Sequence, residues 1–256
     1  MEENVAILVD GGFYLRRASA LWGAKKAEDR AVELYEYCRL HLFVHGQPNN
    51  RLYRVFYYDC PPSKANVYHP FKRTNINLAK TDLYKWMKEF HEELRSKRKF
   101  ALRLGELSAD NAYTLRPDTV KKLCSGVRAF ASITEDDFVL NIGQKGVDMR
   151  IGLDIASMAY KKQVSQIVLI SGDSDFVPAA KLARREGIDF ILDPMCARIK
   201  PSLNEHIDGL RNKVAIFNSR NQNTDSTGTS TNAESRMHSD TPISTSEEQT
   251  RESPEQ

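Results

Sequence analysis

The chain has 256 residues, of which 41% are hydrophobic and 28% charged, and a formal net charge of +3, so it can build a real core and falls in the soluble globular class. Its four cysteines, Cys38, Cys60, Cys124 and Cys196, lack the close spacing of a zinc site, a redox motif or a disulfide framework, and are expected as buried free thiols. The first apolar run stops at Asp10, too soon for a signal peptide or a membrane span, which predicts a cytoplasmic protein.

Val5 to Val9 is a short, continuous and β-branched run, the pattern of a strand buried on both faces of a parallel sheet. Asp10-Gly11-Gly12 turns the chain, and Phe13 to Trp22 and Arg30 to Val44 read as helices. Leu52 to Tyr58 forms the next strand, ending at Asp59 before Pro61-Pro62, and a polar loop carrying Tyr68, Phe71, Lys72 and Arg73 follows. Leu78 to Lys97 is an amphipathic helix leading into the strand Phe100 to Leu104. Gly105 to Phe138 has no clear period and is expected as an insertion or β-excursion.

Val147 to Lys162 gives the clearest helical spacing, through Ile151, Ile155, Met158 and Ala159. Gln166 to Ile170 is a second buried strand, turned by Ser171-Gly172 into a helix from about Phe176 to Arg185, with Pro178 tolerated in its first turn. A strand at Ile188 to Leu192, a short helix at Leu203 to Arg211 and a last strand at Val214 to Phe217 complete the series. This alternation predicts an α/β fold, a mostly parallel central sheet flanked by helices on both faces. Residues 1–218 are expected as the folded domain. They hold 34 Lys or Arg against 27 Asp or Glu, a net of +7 that suits a nucleic-acid binder. Residues 219–256 hold 3 bases against 7 acids and almost no apolar side chains, and are expected as a disordered polar acidic tail.

Asp10, Asp173 and Asp175 stand where apolar strands run out, and Asp148 heads a helix. The carboxyl ends of parallel strands share one sheet edge, where ligands bind. Carboxylates crowded there repel one another unless a cation compensates them, and a histidine-free cluster suits Mg²⁺ better than zinc. Each acid also has a plainer explanation as a turn or helix-cap residue, Asp175 above all. Gly11 and Gly12 would let a phosphate approach the backbone. Ser171 could hydrogen-bond a phosphate or a ligand water, and Lys145 could neutralise a phosphate. Asp154 lies six residues beyond Asp148, about 120° around a helix, so it ranks with Asp59 as a supporting acid at most.

Val9-Asp10-Gly11-Gly12-Phe13, Lys145-Gly146-Val147-Asp148 with Asp154, and Ser171-Gly172-Asp173-Ser174-Asp175-Phe176 resemble the signature segments of the NYN domain family, the LabA-like branch of the PIN-like nuclease superfamily. Gly12 stands where many members carry Asn. The resemblance implies a helix-flanked sheet and a ribonuclease dependent on Mg²⁺ or Mn²⁺, with Asp10, Asp148, Asp173 and Asp175 as metal-binding and catalytic acids. RNA is the expected partner, no membrane is involved, and a homodimer is compatible with the sequence. Arg16, Arg17, Lys72, Arg73, Arg150 and the run Arg95 to Lys99 could surround RNA, with Tyr68 and Phe71 stacking on bases. An inactive RNA-binding or adaptor module and a small-molecule phosphoesterase are the alternatives.

Overall fold

Alternate residues of one strand serve two cores, and this fixes the architecture. In the computed structural model, β1 (Glu3–Asp10) turns Val5, Ile7 and Val9 to one face and Ala6 and Leu8 to the other, and all five are fully buried. The structure describes residues 3–44, 47–48, 50–108 and 112–227. Over the first face lie α1 (Gly11–Trp22), α2 (Ala27–Arg39) and, after the short pair β2 (Phe43–Val44) and β3 (Gln47–Pro48) and the long strand β4 (Asn50–Asp59), α3 (Asp82–Ser96). Between β4 and α3 the polar loop expected from sequence is an antiparallel hairpin, β5 (Asn66–His69) and β6 (Thr74–Asn77), turned by Arg73 at φ 52°.

After β7 (Phe100–Leu104) the chain leaves the main sheet. β8 (Glu106–Leu107), β9 (Ala112–Leu115), α4 (Pro117–Cys124), β10 (Phe138–Asn141) and β11 (Gln144–Lys145) form the expected excursion, with β9 paired to β10 and β8 to β11, both antiparallel. Asp137 organises it: the carboxylate takes Arg128 in a fork at 2.5 and 2.6 Å, the Thr134 N–H at 2.7 Å and the Thr119 hydroxyl at 2.9 Å. Their combined donation holds its pKa well below the usual carboxylate range, the Arg128 hydrogen bonds most of all.

The chain returns through α5 (Val147–Tyr160), β12 (Gln166–Ile170), α6 (Val177–Arg185) and β13 (Asp189–Asp193), and α5 and α6 cover the second face. Six strands make one all-parallel sheet in the order β14-β13-β12-β1-β4-β7. The chain builds outward from β1 in one direction and then, from β12, in the other. The switch between β1 and β12 is where such sheets open a crevice at their carboxyl edge.

Two elements differ from the sequence expectation. Leu203 to Arg211 is not a helix: the helical turn is α7 (Pro201–Asn204), and Gly209–Leu210 forms the edge strand β14, extended by Asp208 N to Phe190 O at 2.8 Å and Arg211 N to Leu192 O at 2.9 Å. Val214 to Phe217 is not a strand but the start of α8 (Val214–Thr227), because a four-residue apolar run carries no period, and Val214 and Phe217, three apart, are both buried. The expected tail therefore begins within a helix, and residues 228–256 lie outside the described residues. Cys38 and Cys60 are buried as expected, whereas Cys124 and Cys196 are exposed.

Candidate active site

Parallel register sets the centre of the site. Val9 pairs with Ile170, so Asp10 at the end of β1 faces Ser171 at the end of β12. Ser171 is fully buried, and its Oγ donates to Asp10 Oδ2 at 3.1 Å while accepting from the Asp173 N–H at 3.3 Å. The Phe13 N–H donates to Asp10 Oδ1 at 3.0 Å, which makes Asp10 the N-cap of α1. Ser171 thus spends its proton on Asp10 in this structure.

Gly11 and Gly12 begin α1 directly and do opposite things. A Cβ on Gly11 would lie 2.6 Å from the Tyr57 ring and from the Tyr58 carbonyl oxygen, so glycine is required there for α1 to pack on β4. The atoms nearest to a Cβ on Gly12 would be Arg16 at 3.4 Å, Asp10 Oδ1 at 3.7 Å and Gln144 Oε1 at 3.9 Å, none of them a clash, which leaves room beside Asp10.

Asp148 sits in the first turn of α5, after Gly146 at φ 77°, a left-handed residue that swings β11 into the helix. Partial desolvation raises its pKa, and the charges of Asp173 and Asp175 raise it further. The Asp10 pKa is also raised, by burial first. The Phe13 N–H, the Ser171 hydroxyl and the charge of Arg16 oppose that shift, and Asp148 adds to it. Asp173 and Asp175 are exposed on the turn after β12, where Asp173 accepts from the Asp175 N–H at 3.0 Å. Asp148 therefore lies within the electrostatic field of Asp10, Asp173 and Asp175. Among the described residues no three His, Cys, Asp or Glu side chains form a closed set able to hold an ion. The chemistry of the donors nonetheless suits a hard cation with waters in most of its shell: all are carboxylates, and two are penalised for being charged.

Two other strand-end acids make an internal contrast. Asp59, at the end of β4, is buried and accepts from the Cys60 N–H at 2.7 Å, Gln144 Nε2 and Tyr57 Oη at 3.3 Å, with His91 Nε2 also at 3.3 Å. Asp193, at the end of β13, is held by Tyr37 Oη at 2.6 Å, His41 Nε2 at 2.9 Å and the Met195 N–H at 2.8 Å. Asp154 faces away from the cluster, with Arg103 Nε at 2.9 Å and Tyr58 Oη at 2.9 Å on its oxygens. These three carboxylates, like Asp10, each take two or more protein groups, whereas among the described residues Asp173 accepts only the Asp175 N–H and Asp148 and Asp175 accept no hydrogen bond.

Of the expected bases, Arg17 is bound to the Met195 carbonyl at 2.7 Å and Lys72 to Glu135 at 2.6 Å, while Arg16 stands beside Asp10 and Lys145 is exposed directly before Gly146. Tyr68 and Phe71 are exposed on the β5–β6 hairpin. Lys200, not foreseen, reaches from the loop after β13 to donate to Ser174 Oγ at 3.0 Å, between Asp173 and Asp175 in sequence. No local pattern announces it, since its position depends on β13 lying next to β12.

Among solved structures, a protein of unknown function from Vibrio parahaemolyticus is 15% identical over 82% of this chain and 91% of that one, with a TM-score of 0.44. A sirtuin solved for the basis of its substrate affinity is 11% identical over 88% and 93%, with a TM-score of 0.35. At these scores neither likeness carries a functional argument. No curated protein matches the chain. The family model of the NYN domain matches residues 65–199, more than half of the sequence and including Asp148, Asp173 and Asp175. The chain belongs to the NYN domain family, within the PIN-like nuclease superfamily.

Proposed function

We propose that this protein is a cytoplasmic ribonuclease that hydrolyses RNA phosphodiester bonds with Mg²⁺ or Mn²⁺ held by Asp10, Asp148, Asp173 and Asp175. The observation that carries the reading is the contrast among the acids at this edge of the sheet. Asp59 and Asp193 are buried among several protein donors, whereas Asp148 accepts no hydrogen bond among the described residues, faces the charges of Asp173 and Asp175, and in turn raises the pKa of Asp10. Carboxylates that repel one another at a sheet's switch point suit a bound cation.

When bound, a divalent cation supplies a water of lowered pKa and neutralises charge on the phosphate. Ser171 and the Phe13 N–H fix both oxygens of Asp10, so this carboxylate needs little reorganisation. Arg16 and Lys200 bring positive charge to two sides of the acids, and Lys145 adds a third cation at the head of α5. The open backbone at Gly12 leaves room for the phosphate beside Asp10. In the reaction the water oxygen bonds to phosphorus, the bond from phosphorus to the sugar oxygen breaks, and the departing oxygen takes a proton.

The test is cleavage of labelled single-stranded RNA with Mg²⁺ or Mn²⁺ by the wild type, Asp10→Asn and Asp173→Asn. The reading expects a loss of 100-fold or more in both variants, on the order of a removed charge-stabilising group. Equal cleavage by all three proteins, or hydrolysis confined to small phosphoesters and insensitive to salt, contradicts it.

A further inference from the structure

Beside the acids the fold leaves a cavity of about 520 Å³, within the size range of small-ligand sites. It opens at the carboxyl ends of β1 and β4 and is closed by the start of α3 and the excursion strands. Its walls are mostly apolar, with Leu83, Tyr84 and Met87 from α3, Pro62 from the β4 loop, and Leu140 and Ile142 from the excursion. Gly12 and Arg16 belong to this lining, so the cavity and the acid cluster share a border.

Gln144 stands at that border. Its Nε2 donates to buried Asp59 at 3.3 Å, which turns Oε1 outward, to 3.9 Å from where a Cβ on Gly12 would lie. Asp59 itself is occupied by Tyr57, His91 and the Cys60 N–H. The amide oxygen is an acceptor with no donor among the described residues. The Arg16 guanidinium makes no hydrogen bond among the described residues, and the Tyr84 hydroxyl likewise has no partner there. Apolar walls, one aromatic face, a pre-aimed acceptor and a cation together fit a flat, mostly apolar molecule edged with N–H donors and lone pairs. Phosphate lacks the donors and the apolar surface, and a hydrocarbon side chain lacks the polar edge.

We infer that this cavity receives one unstacked nucleobase of an RNA strand, that of a nucleotide adjoining the phosphate at the acids. The inference rests on the nuclease reading for the kind of strand and for the phosphate at the acids, whereas entry of a base into the cavity requires no cleavage. Gln144 Oε1 accepts from an amino or imino group of the base, Tyr84 and the apolar side chains cover its faces, and Arg16 bridges base and phosphate. The site thereby fixes which bond of the strand lies over Asp10.

The experiment measures binding of the full chain, in EDTA, to a short single-stranded RNA in which one nucleotide at a time is made abasic. Wild-type protein is expected to lose about tenfold in affinity at one position and little at the others, the scale of one stacked base. Leu140→Trp fills the cavity and Leu83→Glu puts a carboxylate at its rim. Both are expected to bind intact RNA about tenfold more weakly and to be indifferent to the abasic position. Leu83 is 70% exposed, so its substitution does not threaten the fold. A flat scan in the wild type, or the same positional loss in both variants, overturns the inference even if Mg²⁺-dependent cleavage is normal. A positional loss that persists in a protein unable to cleave RNA supports the pocket and refutes only the nuclease reading.

Discussion

Ser171 Oγ donates to Asp10 Oδ2 at 3.1 Å across the seam where β12 meets β1. This single bond joins residues 161 positions apart at the one place in the sheet where strand order reverses. It also opposes part of the burial that raises the Asp10 pKa. Ser171→Ala is expected to destabilise the fold by about 1.5–3 kcal/mol, the range for a hydrogen bond to a charged group. It should also raise the Asp10 pKa further, which an NMR titration of the Asp10 carboxyl carbon reads directly. Ser171→Thr, which keeps the hydroxyl, should restore the pKa if the backbone accepts the methyl group.

Charge at the cluster opposes folding. A carboxyl whose folded pKa is raised above its unfolded value binds more protons when folded, so stability falls as pH rises from the ordinary 3.8 through the raised value and stays lower above it. Without metal, Asp148→Asn is therefore expected to raise the melting temperature at neutral pH and to flatten the loss of stability across that window. Adding Mn²⁺ should stabilise the wild type more than the variant. Calorimetry at several pH values, with EDTA or Mn²⁺, checks both signs.

Asp193 has the opposite standing. Tyr37 and the Met195 N–H donate to its carboxylate, His41 Nε2 lies 2.9 Å from it, and burial lowers the His41 pKa against the pull of Asp193. Asp193→Ala would leave several buried donors unpaired and is expected to cost about 3–5 kcal/mol. Mn²⁺ affinity measured below the melting transition should be unchanged. Chemical denaturation and metal titration of the same variant separate the two effects.

The two glycines after Asp10 should respond differently to a methyl group. Gly11→Ala drives a Cβ to 2.6 Å from Tyr57 and the Tyr58 carbonyl, which is expected to destabilise the fold by about 1–3 kcal/mol or more. Gly12→Ala places its Cβ no nearer than 3.4 Å to any group and should leave stability within about 0.5 kcal/mol, while narrowing the approach to Asp10 and weakening RNA binding. Urea melts and RNA titrations of the pair check this inversion.

The parallel strands were readable because burial on both faces leaves an unbroken β-branched run, as in Val5 to Val9 and Gln166 to Ile170, and because register then fixes what stands at their ends. Edge strand β14 was not, since two residues at Gly209–Leu210 are too few to show a period and only contact with β13 defines them. Strand-end geometry puts Asp10 and Ser171 at one edge of the sheet, whereas Asp148 is carried there by the first turn of α5. That Asp59 is buried in a donor network, that Gly11 serves packing, and that Lys200 reaches Ser174 all depend on tertiary neighbours far away in sequence. The cavity was invisible for the same reason: its walls come from α3, the loop after β4 and the excursion, and no one segment carries its pattern.

The central claim is that Asp10, Asp148, Asp173 and Asp175 share one hard-cation site. Anomalous diffraction from a crystal soaked in Mn²⁺ tests it most directly. The account predicts a peak about 2 Å from oxygens of Asp10 and of at least one of the other three, with waters completing the shell, and its loss in Asp10→Asn. A crystal that remains without a peak there at saturating Mn²⁺, while the same protein still cleaves RNA in Mn²⁺, would contradict it.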